Sequence, residues 1–336
     1  MIENPSNWAG NYTYRATHFH QPKTVEQIQE LVIHSKKLKA LGTRHSFNDI
    51  ADSPGNLISL EHFNQIVGLD RDRHTVTVEA GARYGQLARW LHNEGYALHN
   101  LASLPHISVA GACATATHGS GDRQGNLATA VSAIEMITAN GELVALSREK
   151  DGDQFQGAVV GLGGLGVVTK LTLNISPTFE MRQDVYENLP LAELEEHFNE
   201  LFSSGYSVSL FTDWRNSNFN QVWLKRHISD NAPIKLDPEL FQATLAISPL
   251  HPIAALSAEN CTEQMGISGP WYERLPHFRM DFTPSSGEEL QSEYLVPRRN
   301  AFKALQVINQ LREYIAPLLQ ISEVRSIAVD DLWMSP

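Results

Sequence analysis

The 336-residue chain is long enough to bury a sizeable core, and at roughly 100 to 200 residues per domain it reads as two domains with a cleft between them. Its 42% hydrophobic and 19% charged residues are those of a globular protein, and a net charge of −12 without any run of Lys and Arg argues against nucleic acid as a partner. No stretch approaches the roughly 20 apolar residues of a membrane span, and residues 1–10 lack the basic-then-apolar order of a secretory signal, so a cytoplasmic protein with no membrane partner is expected.

Thr24 can cap a helix over Pro22–Leu38 in which Val25, Ile28, Leu31 and Val32 share a face. The loop Gly42-Thr43-Arg44-His45-Ser46 follows. Thr75–Ala80 alternates as a half-buried strand, and Tyr84, Leu87, Trp90 and Leu91 form a helical face stopped by Gly95. Ser103–Gly121 is a run of small residues, which lets backbone approach another group closely. Ala133–Ala139 and Glu142–Leu146 form two strands around Asn140-Gly141, a hairpin signal. Val159–Ile175 holds a Gly-rich turn that runs into a strand with Val167, Thr169, Leu171 and Leu173 on one face. After Pro177 helices appear with Leu191, Leu194, Phe198 and Leu201, and with Phe302, Leu305, Ile308 and Leu311, facing inward. The domain boundary is placed there, giving domains 1–176 and 177–336.

Cys113 and Cys261 lie far apart without a C-x-x-C partner, and buried free thiols are expected. His18 and His20 are the tightest histidine pair, but no H-E-x-x-H or Cys/His set accompanies them, so no metal is expected. Gly161–Gly166 spells G-x-G-x-x-G. A dinucleotide fingerprint of that kind needs a helix to follow it, whereas an alternating, β-branched strand follows here. Loops around Gly42, Gly119 and Gly163 are each either a plain turn or a nest of backbone N–H groups able to hold an anion. The segment Ile321–Ile327, as a strand, puts Glu323 and Arg325 on one face between apolar residues. That is either a structural ion pair or a patch supplying both a hydrogen-bond acceptor and donors to a polyol.

The loops A-L-G-T-R-H-S-F-N at 40–48, S-L-P-H-I-S-V-A-G at 103–111 and A-T-H-G-S-G at 116–121 resemble the vanillyl-alcohol-oxidase (PCMH-type) family of FAD flavoproteins, in particular its alditol (xylitol) oxidase group. Sugar-lactone oxidases are close cousins. The likeness runs from Asn7-Trp8 to Asp331-Leu332-Trp333. It implies an α+β fold with a PCMH-type FAD-binding domain followed by an α+β substrate (cap) domain on an antiparallel sheet. It also implies FAD attached covalently to His45, and a neutral imidazole nitrogen is chemically suited to add to the electrophilic 8α position of the ring. Without the flanking letters, His45 would read as a surface loop histidine.

Further FAD contacts implied by the resemblance come from Ala40, Leu41, Gly42, Thr43, Arg44 and Ser46, from Ser103, Ser108 and Gly111, from Thr115, Ala116, Thr117 and His118, and from Val167 or Val168. A second flavin bond from Cys113 is the less expected arrangement. Glu323 and Arg325 match the pair that holds substrate hydroxyls, and Ser103 matches a serine near the reacting carbon. The implied reaction oxidises a terminal CH–OH of a sugar alcohol of the xylitol, sorbitol and glycerol class by hydride transfer to flavin, with oxygen as acceptor and hydrogen peroxide as product. A sugar-lactone oxidase and a truncated, non-catalytic FAD-binding remnant are the alternatives. Family members continue past A-V-D-D-L-W-M-S-P into a stretch that brings a histidine, a threonine and a lysine to the site. The proton-accepting role of that lysine has no evident replacement in this sequence. The oligomeric state is left open by the sequence, which is compatible with a monomer.

Overall fold

The computed structural model describes residues 5–228, 237–281 and 289–336. In the N-terminal half, strands His18–His20, Asn56–Ser59 and Leu38–Leu41 form a three-stranded parallel sheet with Asn56–Ser59 in the middle. A five-stranded antiparallel sheet follows, in the order Ile66–Asp70, Thr75–Glu79, Val167–Asn174, Val131–Ile137 and Leu143–Ser147. Helix Val25–His34 is capped by Thr24, whose Oγ1 accepts from Gln27 N at 3.3 Å. Its buried residues Ile28 and Val32 pack with Ile58, Phe63, Ile137 and Val167 between the two sheets. This helix is shorter than the Pro22–Leu38 expected, because Leu38 already pairs with Asn56 as a strand.

Helix Tyr84–Asn93 ends before Gly95, which takes φ +86° as a left-handed stop should. The Asn140-Gly141 turn is longer than a two-residue hairpin. Gly141 has φ +82° while Asn140 does not share that sign, and the flanking strands end at Ile137 and begin at Leu143. Strand Val167–Asn174 directly follows the Gly161–Gly166 turn, so no helix is there to receive a diphosphate in the dinucleotide-fingerprint manner.

The C-terminal half is built on a seven-stranded antiparallel sheet. The long strands Glu180–Pro190 and Asn218–His227 lie at its centre, Ser207–Thr212 comes next, and Ser322–Arg325 is at the edge. One face, with Tyr186, Val208, Leu210, Val222 and Leu224, packs on helices Leu194–Ser203 and Ala301–Gln310. Each large apolar side chain buried there contributes about 1.5–3 kcal/mol. Leu311 does not join this face as expected. The helix ends at Gln310 and Leu311 is 48% exposed. The opposite face presents Phe211, Trp223, Lys225, Glu323 and Arg325, since residues two apart along a strand point the same way.

The two halves are joined along this second face. Ser103 O accepts from both His277 N and Phe278 N at 3.2 Å, and Gly121 N donates to Ser326 O at 2.8 Å. The end of the chain returns to the N-terminal half, where Leu332 enters the core and Asn126 Nδ2 donates to Asp330 Oδ2 at 2.7 Å. No helix among the described residues is long and apolar enough to cross a membrane.

Candidate active site

A cleft of about 2830 Å³ runs between the halves. That is well above the roughly 300–1,000 Å³ of a site for one small molecule, so it has room for a dinucleotide and a substrate together. Its walls are the segments expected from sequence. Ala40, Leu41, Gly42, Thr43, Arg44, His45, Ser46, Ser103, Ser108, Gly111, Thr115, Ala116, Thr117, His118 and Val168 line it, and so do Glu323 and Arg325. Val167 does not. It is 2% exposed and packs with Ile58 and Ile137, because alternation along the strand sends only Val168 toward the cleft. Of the three glycine loops, those at Gly42 and Gly163 reach the cleft. Gly119 is instead pressed against Asn100 and Leu101, leaving Thr117 and His118 to face the opening.

The 42–46 loop is built for close approach. A Cβ on Gly42 would lie 2.6 Å from Ser108 Oγ, and one on Gly111 would lie 2.7 Å from the same atom. Glycine on both sides lets the backbone close on Ser108 without displacing its hydroxyl. Arg44 and Ala116 take φ of 65° and 50°, a conformation that costs an L-residue about 1–2 kcal/mol and is concentrated at ligand sites. The amides of Thr43, His45 and Ser46 make no hydrogen bond to backbone among the described residues, and so remain available to an anion. These features fit the diphosphate of a bound dinucleotide.

His45 is held from three sides. Its Nδ1 lies 3.0 Å from Thr43 Oγ1, its Nε2 lies 2.8 Å from His106 Nε2, and Trp8 stacks on its ring at 5.2 Å between centroids. Burial, then the neighbouring His106 and Arg83, holds its pKa down to about 3, so the imidazole is neutral at any physiological pH. Burial likewise lowers His106, whose Nδ1 is buried without a hydrogen-bond partner among the described residues. Cys113, by contrast, points away from the cleft, fully buried with its pKa pushed up to about 12 and its Sγ 3.4 Å from Tyr84 Oη. A thiol in that state is inert.

At the other wall, Glu323 and Arg325 stand side by side as the strand reading requires, with Arg325 Nε 3.6 Å from Glu323 Oε1. They belong to a longer polar chain that sequence did not reveal. His277 Nε2 lies 2.8 Å from Glu323 Oε1, and its ring is boxed edge-on by Phe211 and Trp223. Arg325 Nη2 donates to Glu293 Oε1 at 2.9 Å, and Glu293 Oε1 is also 3.0 Å from His118 Nε2. Glu293 is held down to about 2 by His118 first and Arg325 after it, which outweigh burial. Burial alone would raise Glu323, but Arg325 and His277 keep it far below the usual carboxylate range. At rest the cleft therefore carries an anion and a cation among apolar walls, a setting able to grip adjacent hydroxyls. His106 lay inside a quoted loop without a role of its own, and His118, expected as an FAD contact, carried no signal for its bond to Glu293. His277, Glu293 and Lys225 are far from any motif.

Residues 16–147 match the family model described as an FAD binding domain. Among curated proteins, the chain is 48% identical over 334 residues to an alditol oxidase of Streptomyces sp. (strain IKD472 / FERM P-14339), spanning 98% of this chain and 78% of that one. An L-gulono-1,4-lactone dehydrogenase of Mycobacterium tuberculosis is 29% identical over 98% of this chain and 79% of its own length. The L-gulonolactone oxidase of Bos taurus is 32% identical over 60% of this chain and 46% of its own length. Among solved structures, cholesterol oxidase from B. sterolicum superposes with a TM-score of 0.59 at 18% identity, over 67% of this chain and 47% of that one, a likeness of fold.

Proposed function

Because the chain belongs to the alditol oxidase family of FAD-binding proteins, we propose that it oxidises a terminal CH–OH of a sugar alcohol, with FAD lying along the cleft and joined covalently to His45. The observation that carries this reading is the shared cleft. A neutral, clamped imidazole and a glycine-lined anion cradle stand on one wall, and the Glu323–Arg325 pair stands on the other.

Thr43, His45, Ser46, Ser108, Gly111 and Thr115–His118 would hold the cofactor, whose diphosphate suits the free loop amides. Bound FAD supplies a two-electron acceptor that oxygen regenerates with release of hydrogen peroxide. Glu323 accepts hydrogen bonds from substrate hydroxyls while Arg325 donates to their neighbours, which fixes one carbinol carbon in place. Ser103, tied through its carbonyl to His277 and Phe278, holds the two walls in register at the point where they meet.

Xylitol, sorbitol, glycerol and L-gulono-1,4-lactone, each added to the yellow protein with peroxide detection, separate the readings. Turnover of the polyols supports the proposal. Turnover of the lactone alone transfers the site to lactone oxidation, and bound flavin with no turnover of any leaves a binding protein.

A further inference from the structure

Lys225 is completely buried near the C-terminal end of strand Asn218–His227, behind the cleft wall. Three acceptors converge on its Nζ: Leu275 O at 2.6 Å, Pro276 O at 3.0 Å and His277 Nδ1 at 3.3 Å. The other ring nitrogen of His277 meets Glu323 Oε1 at 2.8 Å. A carboxylate only accepts, so Nε2 carries the ring hydrogen and Nδ1 offers its lone pair to the ammonium. A line of hydrogen bonds thus runs from the buried lysine to the carboxylate that faces the cleft.

We infer that Lys225 and His277 form a proton store behind Glu323, which receives the proton released when a substrate hydroxyl is oxidised. The inference rests on the function proposed above. The arrangement seen is the filled store, since the three hydrogens of an ammonium match the three acceptors. The empty store satisfies the same partners. A neutral amine donates to the two carbonyls and accepts a hydrogen from Nδ1, and this turns a bare Nε2 lone pair toward the Glu323 carboxylate. Two acceptors then face each other at hydrogen-bond distance, a conflict relieved by taking up one proton.

In the step itself, the substrate O–H bond breaks and its proton passes to Glu323. The Glu323 proton moves to Nε2 as the Nδ1 proton moves to Nζ, which leaves Glu323 ionised, His277 neutral and Lys225 charged. The electron pair left on oxygen forms the carbonyl as hydride leaves the same carbon for the flavin acceptor of the proposed reaction. The charges acting on the pair are Glu323, which favours a charged lysine, and Arg274, which opposes it. Arg325 opposes a proton on His277, and Cys261 is neutral with its thiol pushed up to about 12. Burial dominates and brings Lys225 down to about 7, so both states of the store are reached near neutrality.

The test follows Lys225 directly, by NMR of the lysine Cε and Nζ nuclei in the full-length protein between pH 5.5 and 9.5, with the resonance assigned by its displacement in His277→Gln. A midpoint between pH 6 and 8 is expected, and a lysine that stays charged to pH 9.5 overturns the store without any variant being needed. In parallel, anaerobic reduction of bound flavin by xylitol should accelerate with pH through the same midpoint. In Lys225→Met and His277→Gln it should be slower by about 10²-fold, the lower range of general-base assistance, and should lose that pH dependence. Variants that keep the wild-type pH profile contradict the relay. If wild-type flavin is reduced by no polyol, the substrate assignment fails, while the lysine midpoint still decides whether the store exists.

Discussion

His45 and His106 meet Nε2 to Nε2 at 2.8 Å, so one imidazole donates and the other accepts. Two charged rings could not share that contact; burial lowers both pKa values, helped at His45 by His106 and Arg83 and at His106 by Arg83. Attachment of flavin to His45 requires a neutral nitrogen. A free histidine would lose that form below its usual value near 6.5, whereas His45, held at about 3, keeps it. The rate at which apoprotein incorporates FAD covalently should therefore be flat from pH 5 to 8 in wild type. In His106→Leu it should be slower, because His45 loses the partner that orients it. A rate that falls severalfold between pH 7 and 5.5 would show that His45 titrates normally.

The same depressed values predict how stability depends on pH. His45, His99, His106 and His277 all have folded-state pKa values below their unfolded ones. Between the two values the unfolded chain binds protons that the folded chain does not. The stabilisation is thus complete above about pH 6.5 and is lost as pH falls toward the folded values, by up to about 1.4 kcal/mol per pH unit for each histidine. The urea midpoint should drop clearly from pH 7.5 to 5.5, before the lowered carboxylates Glu293 and Glu323 begin to take up protons. An unchanged midpoint would mean that these rings titrate in the fold as they do in the unfolded chain.

Gly42 and Gly111 confine Ser108 Oγ between them. Gly42→Ala should destabilise the loop by about 1–3 kcal/mol, as overpacking does, and should lower FAD occupancy. Adding Ser108→Ala removes the clashing oxygen and leaves Cβ at 3.8 Å from the new methyl. The double variant should then recover most of the occupancy, measured as flavin absorbance per polypeptide. Failure of Ser108→Ala to rescue would place the fault elsewhere.

Glu323→Gln keeps the shape of the side chain but removes the charge facing Arg325 and His277. Steady-state oxidation of xylitol should lose about 10²–10⁴-fold in kcat. Arg325→Met removes a charged donor worth about 1.5–3 kcal/mol and should raise KM by about tenfold to a hundredfold. Wild-type kinetics in both variants would reduce the pair to a structural salt bridge.

How much of this was legible in sequence follows from locality. The loops of the proposed FAD site are legible through their resemblance to a family; glycine at 42 and 111 suits their close approach to Ser108, whereas nothing in the residue type of Arg44 signals its positive φ. Glu323 and Arg325 could be paired because strand alternation is a local rule. The partners of Glu323 could not. His277 lies 46 residues away and Lys225 further still, and they meet only through the pairing of Ser209 with Arg325 and Ser207 with Lys225 in a non-local sheet. One signal was present. Strand Asn218–His227 is apolar on both faces around Val222, Trp223 and Leu224, and a lysine placed at its end must be buried and partnered. Leu311 was misplaced because periodicity gave its face while packing set the helix end. The alternation that groups Val167 with Thr169, Leu171 and Leu173 is present in the strand, and of the two valines offered for the cofactor Val168 is the one that reaches the cleft.

The most direct measurement denatures the purified protein and asks where the flavin goes. Yellow fluorescence should stay with the wild-type polypeptide through acid precipitation and a denaturing gel, and should leave it in His45→Ala. A colourless wild-type pellet beneath a yellow supernatant would contradict the bond to His45.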